Sequence, residues 1–414
     1  MNKPNENPLG RVITSSENSM LASLNTWAAC LGAMIFGSLT SYFGRKTLLI
    51  ATGIPPLLAY LAMAWAEQIW IFYICRILTG ISLGGAFSIL PMYCGELADA
   101  NNRGILGSSI AVFVNLGMLI PYTVGPYISF FWFHIILALI PTIYIPLFFF
   151  FAPESPHFLI KKSFSEAEAV LKKLRGRDDV SKILEDIRNE IENTSKGSVM
   201  DILNSKALRK GFLIGLGGFT FMVLTGTGIV ASYNERIFKI ANVGIPPELG
   251  PIIVAIAQLI TTVVVSSIAD NYPRRLLLFI SFFGVALVEI PFGIYFFLKE
   301  RKVDVSSVSW LPLVCLVLYV IIYNVGIGPV MFIFLGELFP ARVKGIAISC
   351  LVVYNWGSTS MLTMLFNTLN DSIGMGYMFW MFAVCCFMAS TFIKYFVVET
   401  KGKTFQEIQE ALSE

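Results

Sequence analysis

Acids and bases stand at matching ends of apolar runs in this chain. In Pro91-Met92-Tyr93-Cys94-Gly95-Glu96-Leu97-Ala98-Asp99-Ala100-Asn101-Asn102-Arg103-Gly104, Glu96 closes one run and Arg103 opens the next. Gly336-Glu337-Leu338-Phe339-Pro340-Ala341-Arg342-Val343-Lys344-Gly345 repeats the arrangement with Glu337 and Arg342. Glu154, Asp270, Glu399, Arg45, Arg76, Arg274 and Arg275 extend the set. The chemistry available to such groups is ionic. At the edge of an apolar phase a charge is tolerated only when paired or wet. Covalent catalysis has no comparable support, since no nucleophile–base pair or metal cluster stands out and no cofactor is implied. His134 and His157 have no ligand-spaced partner and read as structural. The seven cysteines (Cys30, Cys75, Cys94, Cys315, Cys350, Cys385, Cys386) fall in or beside apolar runs and read as packing residues.

The elements that position these charges are membrane spans. Apolar residues make up 56% of the chain and charged residues 14%, with a mean hydropathy of +0.71. Lipid, not a soluble core, can cover that much apolar surface. About eleven runs are long enough to span: 21–40, 47–65, 69–93, 105–125, 130–151, 212–233, 251–269, 276–298, 310–335, 346–366 and 377–397. The polar first twenty residues lack the apolar stretch of a signal peptide. Repetition of a charge pattern within a membrane protein is the construction of secondary transporters.

Arg45-Lys46, Arg103, Lys161-Lys162, Arg274-Arg275, Arg342, Lys344, Lys401 and Lys403 share one side if the first span starts outside. The positive-inside rule makes that side cytoplasmic, with the amino terminus outside and the carboxy terminus inside. Lys299, Arg301 and Lys302 break the pattern, partly balanced by Glu300 and Asp304. The net charge of +3, without a basic stripe, gives no reason to expect nucleic acid. The expected domains are an amino-terminal bundle at 1–160, a cytoplasmic helical linker at 161–210, a six-helix bundle at 211–398 and a cytoplasmic tail at 399–414. Within the linker, 165–174 and 180–191 read as amphipathic helices.

Several motifs in order resemble the sugar porter family of the major facilitator superfamily. Gly37-Ser38-Leu39-Thr40-Ser41-Tyr42-Phe43-Gly44-Arg45-Lys46 resembles G-x-x-x-D-R-x-G-R-R, and Arg76 with Gly80 resembles R-x-x-x-G. Pro153-Glu154-Ser155-Pro156-His157 resembles P-E-S-P-R, and Glu399-Thr400-Lys401-Gly402 resembles the end of P-E-T-K-G. The resemblance implies an all-α membrane fold, in this chain about eleven helices in two bundles with a cytoplasmic helical insert. It also implies facilitated passage of a sugar, trehalose or a hexose, across the cell membrane. The charges named above would then be gating salt bridges that tie the halves together in the outward-facing state. The alternative is plain positive-inside topology. Ser41 for the family's Asp, His157 for its Arg and Pro273 for its Gly should weaken that gate. Asn7-Pro8-Leu9-Gly10 resembles the loop after the family's first span, so that span is expected to be missing here.

Glycines in 212–233 and Gly326, Gly328 and Pro329 in 310–335 mark two interrupted spans, either around a wet cavity or for close packing. A sugar needs hydrogen-bonding groups and an aromatic face. The resemblance places Gln258, Asn324, Asn355, Trp356 and Phe332 at sugar contacts, Phe332 in place of a Trp. Interhelical hydrogen bonding competes for the polar ones. The family's Q-Q-L-S-G-I-N is Met222-Val223-Leu224-Thr225-Gly226-Thr227-Gly228 here, and another sugar-binding Gln falls at Ala111. Asn115 and Thr225 are the candidates to fill the shortfall. If they do not, the chain is a transport-impaired relative acting as a sensor or binding protein. Glu289 is an isolated acid at membrane depth. It reads as paired or snorkelling near Pro291, with proton coupling as the alternative.

Overall fold

The computed structural model describes residues 8–40, 42–98, 103–177, 179–193, 198–241, 246, 248–268, 271–403 and 405–413. Every regular element among them is helical. Among the described residues, eleven stretches are long and apolar enough to cross a bilayer, the number read from the apolar runs. The chain divides into two compact units, Met1–Ile110 with Ile128–Gly197, and Ala111–Tyr127 with Ser198–Glu414. The division runs through the fourth span and through the polar insert.

In the first unit the long helices are α1 (Ser15–Leu39), α2 (Arg45–Ala64), α3 (Ile69–Leu97) and α5 (Phe130–Phe151), and α4 (Arg103–Val124) begins there. Helix α1 starts ahead of its apolar run because Thr14 and Glu17 form a capping box. The Glu17 N–H donates to the Thr14 hydroxyl at 3.2 Å, and the Thr14 N–H donates to the Glu17 carboxylate at 2.8 Å. Proline shapes α2. Pro56 has no N–H for the Thr52 carbonyl one turn earlier, so the Ser82 hydroxyl of α3 donates to that carbonyl instead, at 2.5 Å. Phe149, Phe150 and Phe151 of α5 are 56%, 76% and 79% exposed, an apolar surface suited to lipid.

Helices α1 and α3 approach through small residues, as membrane helices do when van der Waals contact drives their association. A Cβ on Gly84 would lie 1.9 Å from the Ala29 carbonyl oxygen. Gly84→Val is therefore expected to cost about 1–3 kcal/mol by overpacking. A lowered melting temperature of the purified protein would report it. Gly95→Ala is the control, because a Cβ on Gly95 meets nothing within 4 Å.

The insert forms α6 (Pro156–Leu159), α7 (Phe164–Arg175) and α8 (Ser181–Asn193) in the first unit. The two amphipathic helices stand at the residues where the apolar spacing predicts them. Leu159, Ala167, Leu171, Val180, Leu184 and Ile187 give them a core of their own.

The second unit continues with α9 (Val199–Asn204), α10 (Lys206–Leu224), α11 (Thr227–Ala241), α12 (Leu249–Ile268), α13 (Arg274–Glu300), α14 (Leu311–Val325), α15 (Ile327–Leu338), α16 (Ala341–Ile373), α17 (Met375–Phe396) and α18 (Phe405–Ser413). Both interrupted spans are real: α10 breaks into α11, and α14 into α15. At the first break Gly226 adopts φ +73°, a region glycine enters without a Cβ penalty. The Tyr319 hydroxyl of α14 lies 3.0 Å from the Thr225 carbonyl and 3.2 Å from its Oγ1. At the second, Gly326 leaves helical geometry at φ −137°, ψ −67°. The buried Ser281 hydroxyl of α13 repairs the ladder there. It donates to the Ile322 carbonyl at 2.6 Å and accepts from the Ile327 N–H at 3.1 Å. Gly215, Gly217 and Gly218, expected to loosen the backbone, are instead helical. They make room for Leu351, Phe392 and Met331.

The loop that resisted the charge rule has local partners. Lys299 donates to the carbonyl of Ala241, the last residue of α11, at 2.6 Å, where the helix dipole is negative. Arg301 lies over the Phe297 ring at 4.7 Å. The Glu300 carboxylate accepts the Met375 N–H at 2.7 Å.

Candidate functional site

The sequence repeat becomes a repeated cluster. In the first unit, helix α2 begins with Gly44 as N-cap and no side-chain cap of its own. Glu154, just beyond α5, supplies one. Its Oε1 accepts the Lys46 N–H at 3.0 Å and the Ser155 N–H at 2.9 Å. A carboxylate at a helix start satisfies orphan amides and meets the positive end of the dipole. A Cβ on Gly44 would lie 1.9 Å from Glu154 Oε2, so a larger residue there would push the carboxylate from its present seat. The Ser155 hydroxyl donates to Glu96 at the end of α3. The other Glu96 oxygen holds Arg45 at 2.9 Å, with side-chain exposures of 11% for Arg45 and 13% for Glu96.

The second unit repeats each part. Helix α13 begins with Pro273 as N-cap, and Glu399 caps it: Oε1 accepts the Arg274 N–H at 2.9 Å and Oε2 the Arg275 N–H at 3.0 Å. The same carboxylate accepts from Thr400 and Lys401 N–H groups at 3.1 and 3.0 Å. The Thr400 hydroxyl donates to Glu337 at 2.6 Å, and Glu337 faces Arg274 at 3.5 Å. Glu154, Ser155, Glu96 and Arg45 thus correspond to Glu399, Thr400, Glu337 and Arg274. The members of each set belong to one unit.

The remaining charges divide. Arg342 pairs with Asp201 of α9 at 3.0 Å, an exposed contact within the second unit. Arg275 donates to the Lys394 carbonyl. Arg103 opens α4 with its side chain outside the described residues, and Asp270 lies outside them altogether. Arg76 is not part of the cluster. It sits near the start of α3, twenty residues before Glu96, or about 30 Å along the helix. Its electrostatic neighbours are Tyr60, Cys75 and His134.

The proposed cargo contacts are spread over several helices of the second unit. Asn115, buried on the later part of α4, donates to the Thr262 hydroxyl of α12 at 2.7 Å. That hydroxyl donates to the Gln258 main-chain carbonyl at 2.8 Å and lies 3.5 Å from Asn324 Oδ1. Asn324 also donates to the Val320 carbonyl at 2.8 Å. These groups form an interhelical polar chain centred on Thr262, a residue the sequence motifs did not single out. Thr225 is fully buried and committed to the first break, its hydroxyl donating to the Met222 carbonyl at 2.8 Å. Asn355 and Trp356 stand on α16, and Phe332 on α15. Phe332 is 41% exposed and lies against Phe219 at 5.4 Å. Asn355 is 8% exposed, and its carbonyl oxygen is enclosed without a hydrogen-bond partner. Met222 and Val223, where the family carries glutamines, are buried.

Broken helices, repeated ionic clusters and eleven candidate spans are the features of a multi-pass membrane transporter. The chain belongs to the sugar (and other) transporter family, which it matches over residues 2–412. It is 32% identical over 408 residues to the facilitated trehalose transporter Tret1 of Bombyx mori, covering 97% of this chain and 80% of that protein. It is 30% identical to the Aedes aegypti protein of the same name, of which it spans 50%. Its fold is that of the major facilitator superfamily. An inward-open structure of the xylose transporter XylE from E. coli covers 97% of this chain, and this chain covers 91% of it, with a TM-score of 0.79 and 24% identity.

Proposed function

We propose that this chain is a facilitative sugar transporter of the plasma membrane, working by alternating access on trehalose or a hexose, with its carboxy terminus cytoplasmic. The observation that carries the reading is the orphaned Asn355 acceptor. A buried polar atom without a partner costs about 1–3 kcal/mol, and a sugar hydroxyl donating to it recovers that cost. Trp356, the next residue of α16, and the half-exposed Phe332 would supply apolar ring surface for the faces of a sugar. Family membership and the trehalose-transporting relatives support the cargo class. The two ionic clusters act as end-of-helix fasteners whose strength biases the conformational equilibrium.

The test is counterflow in proteoliposomes with trehalose and glucose. Flux above empty vesicles is expected. Asn355→Ala is expected to weaken it by roughly 5- to 150-fold in apparent affinity, the equivalent of one lost hydrogen bond to a buried group.

A second reading has its own observation. Met222 and Val223 present apolar side chains where the family has amides, and Thr225 is committed to the helix break. A chain short of cargo contacts in this way would bind a sugar without moving it, as a membrane sensor. Thermal stabilisation by sugar with no counterflow would select that reading over transport.

A further inference from the structure

Glu289 belongs to neither ionic cluster and to none of the proposed cargo contacts. The sequence suggested a paired or snorkelling acid, and the structure shows neither. Glu289 stands on α13 fifteen residues past Arg274, about 22 Å along the axis. Its side chain is 0% exposed, so it reaches no interface. Both carboxyl oxygens are enclosed and lack a hydrogen-bond partner.

The titratable groups that act on it come from two neighbouring helices. From α17 these are Cys386 and Cys385, and from α14 Tyr319, with Tyr323 stacked behind it. The Cys386 thiol lies within electrostatic reach without forming a hydrogen bond of acceptable geometry. The Tyr319 hydroxyl is already engaged with Thr225. Among the described residues no lysine, arginine or histidine acts on Glu289. A bare carboxylate in such surroundings has nothing to offset its lost hydration. The neutral acid is the tolerable form, and even its O–H lacks an acceptor. An acid disfavoured in the closed surroundings gains when the surroundings open, so it biases any motion that lets water in. Tyr319 connects the acid to the α10–α11 break, because it acts on Glu289 and its hydroxyl also holds Thr225 there.

We propose that Glu289 is a proton-binding site of the second unit, loaded in the enclosed state described here and emptied when rearrangement at the α10–α11 break admits water. The O–H bond of the acid breaks, the proton passes to water and the carboxylate remains. That cargo movement is linked to this proton rests on the transporter reading; the site itself does not.

The test compares the full chain with Glu289→Gln, whose amide copies the shape of the neutral acid. Thermal unfolding is followed in nanodiscs from acidic to alkaline buffer, without sugar. The wild-type acid binds its proton in the folded state and releases it on unfolding, so raising the pH favours the unfolded state. The expected result is a melting temperature that falls with pH more steeply in the wild type than in Glu289→Gln. Coincident profiles overturn the proposal. A second arm treats both proteins with a hydrophobic carbodiimide, which modifies protonated carboxyls, and maps the adduct by mass spectrometry. An adduct at Glu289 that fades as pH rises supports the site, and an adduct that does not vary with pH overturns it. Counterflow is measured separately. Absent flux with divergent melting profiles removes the transporter reading and leaves the proton site standing. Normal flux with coincident profiles does the reverse.

Discussion

Replacing Arg45 with alanine is expected to destabilise the first unit by about 3–5 kcal/mol, the usual cost of removing one partner from a buried ion pair. The pair is short, at 2.9 Å, and both side chains are nearly enclosed. Glu96 would keep only the Ser155 hydroxyl for its charge. Arg45 also donates to the Thr40 carbonyl at 3.3 Å, so the α1–α2 turn would lose a tie in the same step. The equivalent change in the second unit should do less. Arg274 and Glu337 are 3.5 Å apart and the Glu337 side chain is 32% exposed. Water there screens the pair and can replace part of it. Arg274→Ala is expected to cost about 1–2 kcal/mol, between the exposed and buried limits. Unfolding of the purified variants in nanodiscs compares the two directly. Equal losses would show that pair geometry does not set the strength of these fasteners.

That asymmetry bears on how the clusters work. Both acids that follow the bundles, Glu154 and Glu399, cap a helix that begins in a different part of its unit. The cap and the ion pair therefore share one set of short segments. A change of conformation that moves either helix start disturbs both. Energy stored in such contacts shifts an equilibrium only through its difference between states. On the proposed alternating-access reading, the tighter first cluster would contribute more bias than the second.

The sequence exposed this architecture unevenly. Spans were legible because a run of about twenty apolar residues has no other stable home. Both helix breaks were legible because glycine and proline gather there. The Glu96 and Glu337 pattern was legible because charges at span ends are few. What escaped depends on contacts between distant segments. Ser155 and Thr400 stood inside quoted motifs, yet nothing local shows that their hydroxyls reach Glu96 and Glu337. Thr262 looked like one more β-branched residue in an apolar run, although it joins Asn115 to the α12–α14 contact. Arg76 was misplaced because a long helix carries one motif at each end. Residue spacing along α3, not motif order, sets which end a side chain serves. Glu289 reads from sequence as a paired or snorkelling acid, because sequence cannot show whether a buried acid has a partner.

The largest effect in the second unit is expected from Ser281→Ala. The α14–α15 break leaves the Ile322 carbonyl without its partner one turn on, since Gly326 has left helical geometry. It leaves the Ile327 N–H similarly exposed. Inside a bilayer no water is available for either group, and each unsatisfied one costs about 1–3 kcal/mol or more. A single hydroxyl, itself 0% exposed, serves both. Gly326 cannot be altered to compensate, because a Cβ there would lie 2.3 Å from the Leu277 carbonyl oxygen. Removing one oxygen atom should therefore cost about 2–6 kcal/mol, far more than its own burial implies. Ser281→Thr keeps the hydroxyl and should retain most of the stability that alanine loses. Ser281→Cys, with a poorer donor and acceptor, should fall between them. Hydrogen–deuterium exchange gives a local readout: the Ile327 amide should lose protection in Ser281→Ala and keep it in Ser281→Thr. Unchanged protection in the alanine variant would mean that the break is held by packing rather than by this hydroxyl.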